Sequence, residues 1–479
     1  MEKQLAKILI LFLIIYGCQE EKNNVTLNKQ NVIVAGKIEN LKSKVVSIVF
    51  QDIIRGQGRF SQIVDSTTGT FHFIFDIYHP QDIMFKYNNK YLQLYVEPND
   101  SLFISFDFNK IQKNNTQLQE VLFSGNNKQL NEELYNYNLF DKTDNFIPNC
   151  LDKNVTGYLE ELKKQIEKEQ NDLKRFISSE NPSTKFINWA KNNIVYNNAN
   201  YLIDYTFINR SDSLFNTEIF PVNNANSLVS SMFGLHLWHY VNNKYIQNDS
   251  VTKNLLNEGK FAAGYSNSVE NVLKNESEGL CRDIMIYKLL SSFFGDSFEQ
   301  FEKHWSVNKG FINNHLLTEE LNNRLLNEKE LNIYGINFID NFSTNEKVLL
   351  GDIFTELIEM SKNNLVYIDI WATWCGPCLS EIPHIIKIHK KMEDENIKFV
   401  SICCQSNRDK WNSIISNNNI PGQHYILDNE QSSLFFSNMN FKGFPTYLIL
   451  KDGRIVNENA PRPSSGDRII NELVRINAL

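Results

Sequence analysis

The sequence predicts a multidomain protein, in which an N-terminal antiparallel β-sandwich, an all-helical middle domain and a C-terminal α/β domain follow one another. Apolar residues alternate along short segments between Val32 and Asp107, which indicates strands with one buried face. From about residue 125 to 330 they recur at three- and four-residue steps, which indicates amphipathic helices. Beyond residue 360, nearly continuous apolar runs are typical of strands buried on both faces. A chain of 479 residues is also too long to fold around a single hydrophobic core, because single cores stop growing at roughly 250–300 residues.

The composition excludes some classes of partner. The chain has 48 Lys and Arg residues against 56 Asp and Glu residues, so its net charge is −8. This balance argues against a nucleic-acid partner, because nucleic-acid-binding domains cluster Lys and Arg. Seven cysteines are too few for a disulfide scaffold in a chain of this length.

The first residues have the order of a secretory signal. Two lysines precede an uninterrupted apolar stretch from Ile8 to Tyr16, and a small residue and Cys18 follow it. As a helix this stretch would rise only about 14 Å, roughly half of a hydrocarbon core. We therefore expect residues 1–17 to be a signal peptide rather than a spanning helix.

The end of this segment, Ile15-Tyr16-Gly17-Cys18, resembles the lipobox of bacterial lipoproteins. The resemblance implies that Cys18 is acylated and anchors the mature protein in a lipid bilayer. An ordinary signal peptide with an incidental cysteine is the alternative. Residues 18–30 are mostly polar and predict a flexible tether. Since no Asp follows Cys18, we expect attachment to the outer membrane facing the periplasm, with surface display left open.

Residues 31–122 predict the β-sandwich domain. Phe71, Phe73 and Phe75 share one face of a strand, and turn signals such as Pro98-Asn99-Asp100 separate the short segments.

Residues 125–330 predict the helical domain, with one long helix that begins near Asn154. Its candidate sites are weak. His236 and His239 could share a helix face, but a metal site needs a third ligand and none is apparent in the sequence, so we expect ordinary histidines. Cys150 and Cys281 are compatible with a disulfide or with two separate thiols, because sequence alone does not place them within bonding reach.

The C-terminal domain carries a specific motif. A buried strand is predicted over Leu365–Ile370, and Trp371-Ala372-Thr373-Trp374 leads from it into Cys375-Gly376-Pro377-Cys378. A helical pattern and a second buried strand, Lys398–Cys404, follow. Strand, C-x-x-C, helix and strand in this order indicate a redox motif. Half of a zinc site is the alternative, and the sequence has no second C-x-x-C or nearby histidine pair to complete it, so we expect no metal.

The position of the motif at a helix start has an electrostatic reason. A nucleophilic sulfur must be a thiolate, and the positive end of the helix dipole and the unpaired backbone N–H groups stabilise that anion. Pro377 fits an early helical position, where no hydrogen bond is lost. We therefore predict that Cys375 attacks a substrate disulfide and that Cys378 resolves the mixed disulfide. Two structural thiols, the alternative, would not explain Trp374 and Pro377.

The segment Tyr367–Pro383 resembles the active site of the thioredoxin superfamily, and specifically of the extracytoplasmic TlpA/ResA-like thiol-disulfide oxidoreductases. The resemblance covers residues 335–479. It implies a thioredoxin fold, no bound cofactor, disulfide-containing protein substrates outside the cytoplasm and a membrane electron donor. It also suggests service to cytochrome c maturation. Residues 31–122 resemble the small β domain that precedes thioredoxin modules in lipoproteins of the TlpA-like group.

The resemblance also assigns roles to residues. Asp369 matches a buried carboxylate that helps to deprotonate the resolving cysteine, and Glu381 matches an acidic residue of the TlpA/ResA group, with a solvated carboxylate as its alternative. Phe444-Pro445 matches the loop with a cis proline. The expected substrate-binding residues around the pair are Trp374, Gly376, Pro377, Phe444 and Pro445. For Cys403 and Cys404 we expect inert packing in a strand.

The predicted function is that of a lipid-anchored reductase or isomerase of protein disulfides outside the cytoplasm. A disulfide oxidase is the first alternative, because direction depends on reduction potential. The second is a surface-binding lipoprotein, in which residues 31–330 recognise a ligand and the redox module is secondary.

Overall fold

The computed structural model describes residues 25–112, 116–140, 154–202, 205, 218–293, 301–302, 304–305, 309–334, 336–441 and 443–478. It confirms the predicted fold class, with β-sheets first, helices in the middle and an α/β unit at the end. Cys18, the rest of the predicted signal peptide and Cys150 lie outside the described residues.

The N-terminal unit is a sandwich of two four-stranded sheets, ordered β4-β1-β7-β8 and β3-β2-β5-β6. Phe71, Phe73 and Phe75 point into the core between the sheets, as the alternation predicts. One strand pair differs from the predicted antiparallel arrangement, because β1 lies parallel to β7. Alternation identifies the buried face of a strand but says nothing about the direction of its neighbour. The strands are β1 (Gln30–Glu39), β2 (Val45–Asp52), β3 (Gly56–Ile63), β4 (Thr70–Ile77), β5 (Gln81–Tyr87), β6 (Lys90–Val96), β7 (Ser101–Asp107) and β8 (Leu122–Gly125).

The middle unit is helical around its own core. Its longest helix begins where the sequence predicts, because the Asn154 side chain accepts a hydrogen bond from the backbone N–H of Gly157 and caps the helix. The core includes Phe176, Phe186 and Trp189, all buried. The helices are α1 (Lys128–Leu139), α2 (Val155–Glu180), α3 (Thr184–Ala199), α4 (Ser231–Asn242), α5 (Ser250–Asn257), α6 (Phe261–Asn275), α7 (Leu280–Phe293) and α8 (His315–Tyr334).

The sandwich and the helical unit are joined through the buried carboxylate of Asp82. Its Oδ1 accepts hydrogen bonds from Trp189 Nε1 at 3.1 Å and from the backbone N–H of Ser231 at 2.9 Å. Its Oδ2 accepts from Ser231 Oγ at 3.0 Å. Since loss of the Asp82 carboxylate would leave the buried donors of Trp189 and Ser231 without this acceptor, the network favours one relative position of the two units.

The end of the predicted tether contacts the folded body. Val25 and Leu27 are partly buried against the helical core. The backbone N–H of Asn28 donates to the Tyr78 carbonyl at 2.8 Å, and Lys29 forms an ion pair with Glu320 at 2.8 Å. Within the predicted tether, the described residues from Val25 onward therefore belong to the folded body.

The C-terminal unit is a six-stranded sheet ordered β12-β11-β10-β13-β14-β9, with helices on both faces. Val366, Ile368 and Ile370 face one hydrophobic core, whereas Leu365 and Tyr367 face the other, which explains the continuous apolar run. Asp452-Gly453, a dipeptide typical of tight hairpin turns, connects the antiparallel strands β13 and β14. The strands are β9 (Ile336–Asn337), β10 (Leu365–Trp371), β11 (Ile397–Cys403), β12 (Gln423–Ile426), β13 (Thr446–Lys451) and β14 (Arg454–Asn457), and the helices are α9 (Thr344–Leu350), α10 (Ile353–Ser361), α11 (Gly376–Lys391), α12 (Arg408–Asn418), α13 (Asn429–Asn438) and α14 (Asp467–Asn477).

The helix α13 attaches this α/β unit to the sandwich. Ser437 Oγ accepts from the backbone N–H of Ser61 at 2.8 Å, and Ser433 Oγ accepts from the Arg59 guanidinium at 3.2 Å. Glu430 accepts from the backbone N–H of Lys44 at 2.8 Å. Across the described parts of the chain, no helix combines the length and the apolar character needed to cross a membrane.

Candidate active site

The cysteine pair lies where the central strand β10 passes into helix α11. Cys375 is the N-cap residue of α11, and its Sγ accepts a hydrogen bond from the backbone N–H of Cys378 at 3.1 Å. The two cysteines form a disulfide, and both are buried. Pro377 occupies the first turn of the helix, as predicted. A thiolate on Cys375 would therefore face a backbone donor and the positive end of the helix dipole.

An exposed aromatic side chain borders the pair. Trp374 is 59% exposed, and its Nε1 donates to the carbonyl of Gln405 at 2.9 Å. Its ring meets Phe444 edge to face, with 5.5 Å between the ring centroids. Gly376 and Pro377 are exposed beside it. The disulfide is therefore bordered by an exposed surface that includes an aromatic side chain.

The loop before β13 contributes Phe444 to this aromatic surface. The Phe444–Pro445 peptide bond is cis, as the resemblance implies. Phe444 packs against the cluster that contains both cysteines, and it also contacts Phe436 of α13, with 4.8 Å between the ring centroids. The helix that attaches the sandwich therefore also supports the loop beside the redox pair.

Asp369 lies on β10, the strand that leads into the cysteine pair. Its Oδ1 is buried and has no hydrogen-bond partner among the described residues. Burial raises the pKa of this carboxyl to about 8, and the nearby negative charge of Glu381 contributes to the rise. A carboxyl with a pKa in this range can accept and return a proton near neutral pH.

Glu381 is buried on α11, with only 6% of its surface exposed. Both of its oxygens accept hydrogen bonds from Ser464, one from the backbone N–H at 2.8 Å and one from Oγ at 2.7 Å. The alternative of a solvated helix carboxylate is therefore wrong. Asp369 and Glu381 form a pair of interacting carboxyl groups in the interior of the domain.

Cys403 and Cys404 are fully buried, in agreement with inert packing. Cys403 ends β11 and belongs to the same cluster as Cys375 and Cys378, a proximity that the sequence did not indicate. Burial raises the pKa of the Cys403 thiol to about 11 and raises that of Cys404 as well. Both thiols therefore stay protonated near neutral pH, and neither competes with Cys375 as a nucleophile.

The weaker candidates of the middle domain lie apart from this site. His236 packs between the rings of Tyr196 and Phe220, with centroid distances of 5.6 and 5.8 Å, and burial lowers its pKa to about 4. Burial also lowers the pKa of His239 to about 4. The described residues contain no group of three or more potential metal ligands. Cys281 is buried as a free thiol, and its suggested pairing with Cys150 falls on a residue outside the described ranges.

Two residues that touch the carboxyl pair were not singled out in the sequence. Ser464 lies 83 positions from Glu381, and Tyr447 lies directly opposite Asp369 on the neighbouring strand β13. The run Phe444-Pro445-Thr446-Tyr447 was a usable signal for Tyr447, because antiparallel pairing with β10 brings its side chain to the face of Asp369.

Residues 363–456 match the family described as thioredoxin-like. A thioredoxin of Chlorobaculum thiosulfatiphilum is 30% identical over 104 residues, which cover 22% of this chain and 70% of that protein. The thiol-disulfide oxidoreductase ResA of Bacillus thuringiensis is 23% identical over 130 residues, which cover 24% of this chain and 73% of that protein. A solved thioredoxin domain of a thiol-disulfide oxidoreductase from Bacteroides vulgatus shares 19% identity and covers 25% of this chain and 83% of that one, with a TM-score of 0.23.

The sequence likeness falls on the domain that carries the cysteine pair, and the resemblance to TlpA/ResA-like proteins is confirmed. The chain therefore belongs to the thioredoxin family and is a thiol-disulfide oxidoreductase.

Proposed function

We propose that this protein is a lipid-anchored enzyme outside the cytoplasm that reduces or isomerises the disulfides of other proteins. The observation that carries the proposal is the cysteine pair at the start of α11, where the backbone N–H of Cys378 points at the sulfur of Cys375. This arrangement favours a thiolate on Cys375, which is the form that attacks a disulfide.

The reaction begins with the reduced pair. The Cys375 thiolate attacks one sulfur of a substrate disulfide, the substrate S–S bond breaks, and the other substrate sulfur leaves as a thiolate. Cys378 then gives its proton to ionised Asp369 and attacks Cys375. The bond between Cys375 and the substrate breaks, the Cys375–Cys378 disulfide forms, and the substrate has gained two electrons.

The surface around the pair supplies the substrate-binding residues. The candidates are Trp374, Gly376 and Pro377 at the start of α11, together with Phe444 and Pro445 of the cis-proline loop, in which the Phe444 ring contacts Trp374. The aromatic rings provide apolar contact area, and the half-buried proline loop offers backbone groups that could pair with an extended substrate segment. Substrates are therefore disulfide-containing proteins, and cytochrome c precursors are among the candidates.

The proposed function also requires a source of electrons and a means of attachment to the membrane. We propose that a membrane electron donor reduces the disulfide after each cycle. Acylated Cys18 would hold the enzyme at the outer membrane, most simply on the periplasmic side, since multiple acyl chains give stable anchoring. The Cys18→Ala variant should lose acylation and membrane association. Unchanged metabolic acyl labelling in that variant would remove the lipoprotein part of the proposal.

The reduction potential of the Cys375–Cys378 couple tests the direction of the reaction. We expect a value closer to the about −270 mV of thioredoxin than to the about −120 mV of strongly oxidising dithiol proteins. Equilibration of the full chain with glutathione buffers of known ratio, followed by thiol alkylation and mass spectrometry, gives this value. A potential near the oxidising limit would make the enzyme a disulfide oxidase instead.

A further inference from the structure

Two buried polar atoms without a hydrogen-bond partner lie on neighbouring strands of the sheet in the domain that carries the redox pair. They are Oδ1 of Asp369 on β10 and the hydroxyl of Tyr447 on β13, and neither has a partner among the described residues. The antiparallel register places Asp369 directly opposite Tyr447. Side chains of directly opposed residues project from the same face of a sheet, with Cβ atoms about 4.5–5.5 Å apart. The Asp369 carboxyl also lies close enough to the Tyr447 hydroxyl to act on it electrostatically.

A neighbouring tyrosine shows that the unpaired hydroxyl is not a general feature of this core. Tyr367 stacks on Tyr447, with 5.6 Å between the ring centroids and 8° between the ring planes. Its hydroxyl donates to the carbonyl of Pro461 at 2.8 Å. Both rings pack in the same hydrophobic core, but of the two hydroxyls that of Tyr447 has no hydrogen-bond partner among the described residues.

The charged and titratable groups around Asp369 come from several elements. Glu381 on α11 and Cys403 on β11 interact with it, as does Tyr367 on its own strand. Arg462 acts on Tyr447 from the turn before α14. Glu381 already accepts two hydrogen bonds from Ser464. Two hydroxyl groups therefore neighbour Asp369 on the adjacent strands. Ser401 pairs with it on β11 and accepts a hydrogen bond from Trp371 Nε1 at 2.6 Å, whereas the Tyr447 hydroxyl has no partner among the described residues.

We propose that Tyr447 is a positioning residue, whose hydroxyl holds one internal water molecule against Oδ1 of Asp369 and so stabilises the ionised carboxylate that accepts the proton of Cys378. A buried water needs two to four polar partners, and the Tyr447 hydroxyl, Oδ1 of Asp369 and the Glu381 carboxylate supply them. The inference rests on the proposed function, because it needs Asp369 to be the proton acceptor during resolution.

The direction of the expected change in the pKa of Asp369 follows from the fact that the Tyr447 hydroxyl donates the hydrogen bond. A hydrogen bond donated to the charged form of an acid favours that form, so the loss of the Tyr447 hydroxyl should move the ionisation of Asp369 to higher pH. Less carboxylate would then be present near pH 7, and transfer of the Cys378 proton would slow. Substitution by Phe keeps the ring and removes only the unpaired hydroxyl, so the fold should be retained.

The test is a carbon-13 NMR titration of the Asp369 carboxyl in the full-length oxidised protein, in which Cys375 and Cys378 do not titrate. The Tyr447→Phe variant should raise the midpoint by about one pH unit and slow resolution about tenfold at pH 7. The matched control Tyr367→Phe removes a hydroxyl from the stacked neighbour and should leave the midpoint unchanged. An unchanged midpoint in Tyr447→Phe, or an equal shift in both variants, would overturn the proposal.

A double variant separates this inference from the proposed function. In an Asp369→Asn background, Tyr447→Phe should have no further effect on the rate of resolution, because the carboxyl on which it acts is gone. If Asp369→Asn alone leaves resolution unchanged, the role of Asp369 as proton acceptor fails even where the titration shifts. If Asp369→Asn slows resolution but the midpoint in Tyr447→Phe does not move, only the role of Tyr447 fails.

Discussion

Ser464 donates two hydrogen bonds to the carboxylate of Glu381, from its backbone N–H at 2.8 Å and from its Oγ at 2.7 Å. These bonds hold Glu381 in the interior of the domain, where its charge raises the pKa of Asp369 beyond the effect of burial. A turn close to the C-terminus of the chain thereby influences the carboxyl that we assign to proton transfer.

The first prediction concerns Glu381. The Glu381→Gln variant should lower the pKa of Asp369 from about 8, because it removes a like charge that opposes ionisation. NMR titration of the Asp369 carboxyl in the oxidised protein measures the shift. The exposed Glu393→Gln is the matched control and should leave the titration unchanged. The same midpoint in Glu381→Gln and in the parent would show that Glu381 exerts no electrostatic effect on Asp369.

The second prediction concerns stability against pH. Asp369 has a pKa of about 8 in the folded protein and an ordinary value of 3.8. The folded state therefore holds more protons than the unfolded state between these values, and this carboxyl makes the protein less stable as the pH rises through that window. The Asp369→Asn variant should gain stability relative to the parent by up to about 1.4 kcal/mol for each pH unit in the window.

Urea denaturation of the oxidised protein between pH 5 and pH 9 measures this difference. The exposed Asp394→Asn is the matched control and should follow the parent at every pH. Parallel stability curves for Asp369→Asn and the parent would mean that the buried carboxyl titrates at an ordinary value.

Asp369 and Glu381 also show which features of the site can be predicted from the sequence. The position of Cys375 at a helix start and of Asp369 on a buried strand follow from local patterns, since helix and strand periods act over a few residues. The residues that surround the carboxyl groups do not follow from local patterns. Ser464 and Tyr447 reach the site through tertiary packing, from 83 and 78 positions along the chain.

The same distinction holds for the fold. The alternating pattern predicted the sandwich and the buried face of Phe71, Phe73 and Phe75, but not the parallel pairing of β1 with β7. A polar tether was predicted up to residue 30, yet Val25 and Leu27 pack against helices that lie far along the sequence. Long-range contacts decide these features, and a single sequence contains no direct record of them.

The third prediction concerns Trp374. Because this side chain is 59% exposed, Trp374→Ala should change the free energy of unfolding by less than about 1 kcal/mol. It should raise KM for a protein disulfide substrate about tenfold, which corresponds to about 1.4 kcal/mol of lost contact. Insulin reduction kinetics and urea denaturation measure the two effects.

Trp371→Ala is the comparison variant for Trp374→Ala. Trp371 is buried and its Nε1 donates to Ser401 Oγ at 2.6 Å, so Trp371→Ala should cost about 3–5 kcal/mol of stability. If Trp374→Ala destabilises the protein as much as Trp371→Ala and leaves KM unchanged, Trp374 supports the fold rather than the substrate.

The most direct test of the account is the trapping of mixed disulfides by single cysteine variants of the full chain. Cys378→Ser keeps the attacking thiol but lacks the resolving one, so substrate proteins should accumulate in covalent complexes with Cys375. Cys375→Ser should trap none, because the remaining thiol lies one turn inside the helix rather than at its N-cap, where the thiolate is stabilised. Non-reducing electrophoresis and mass spectrometry of the complexes give the answer. Equal trapping by the two variants, or trapping by Cys375→Ser alone, would contradict the assignment of Cys375 as the nucleophile.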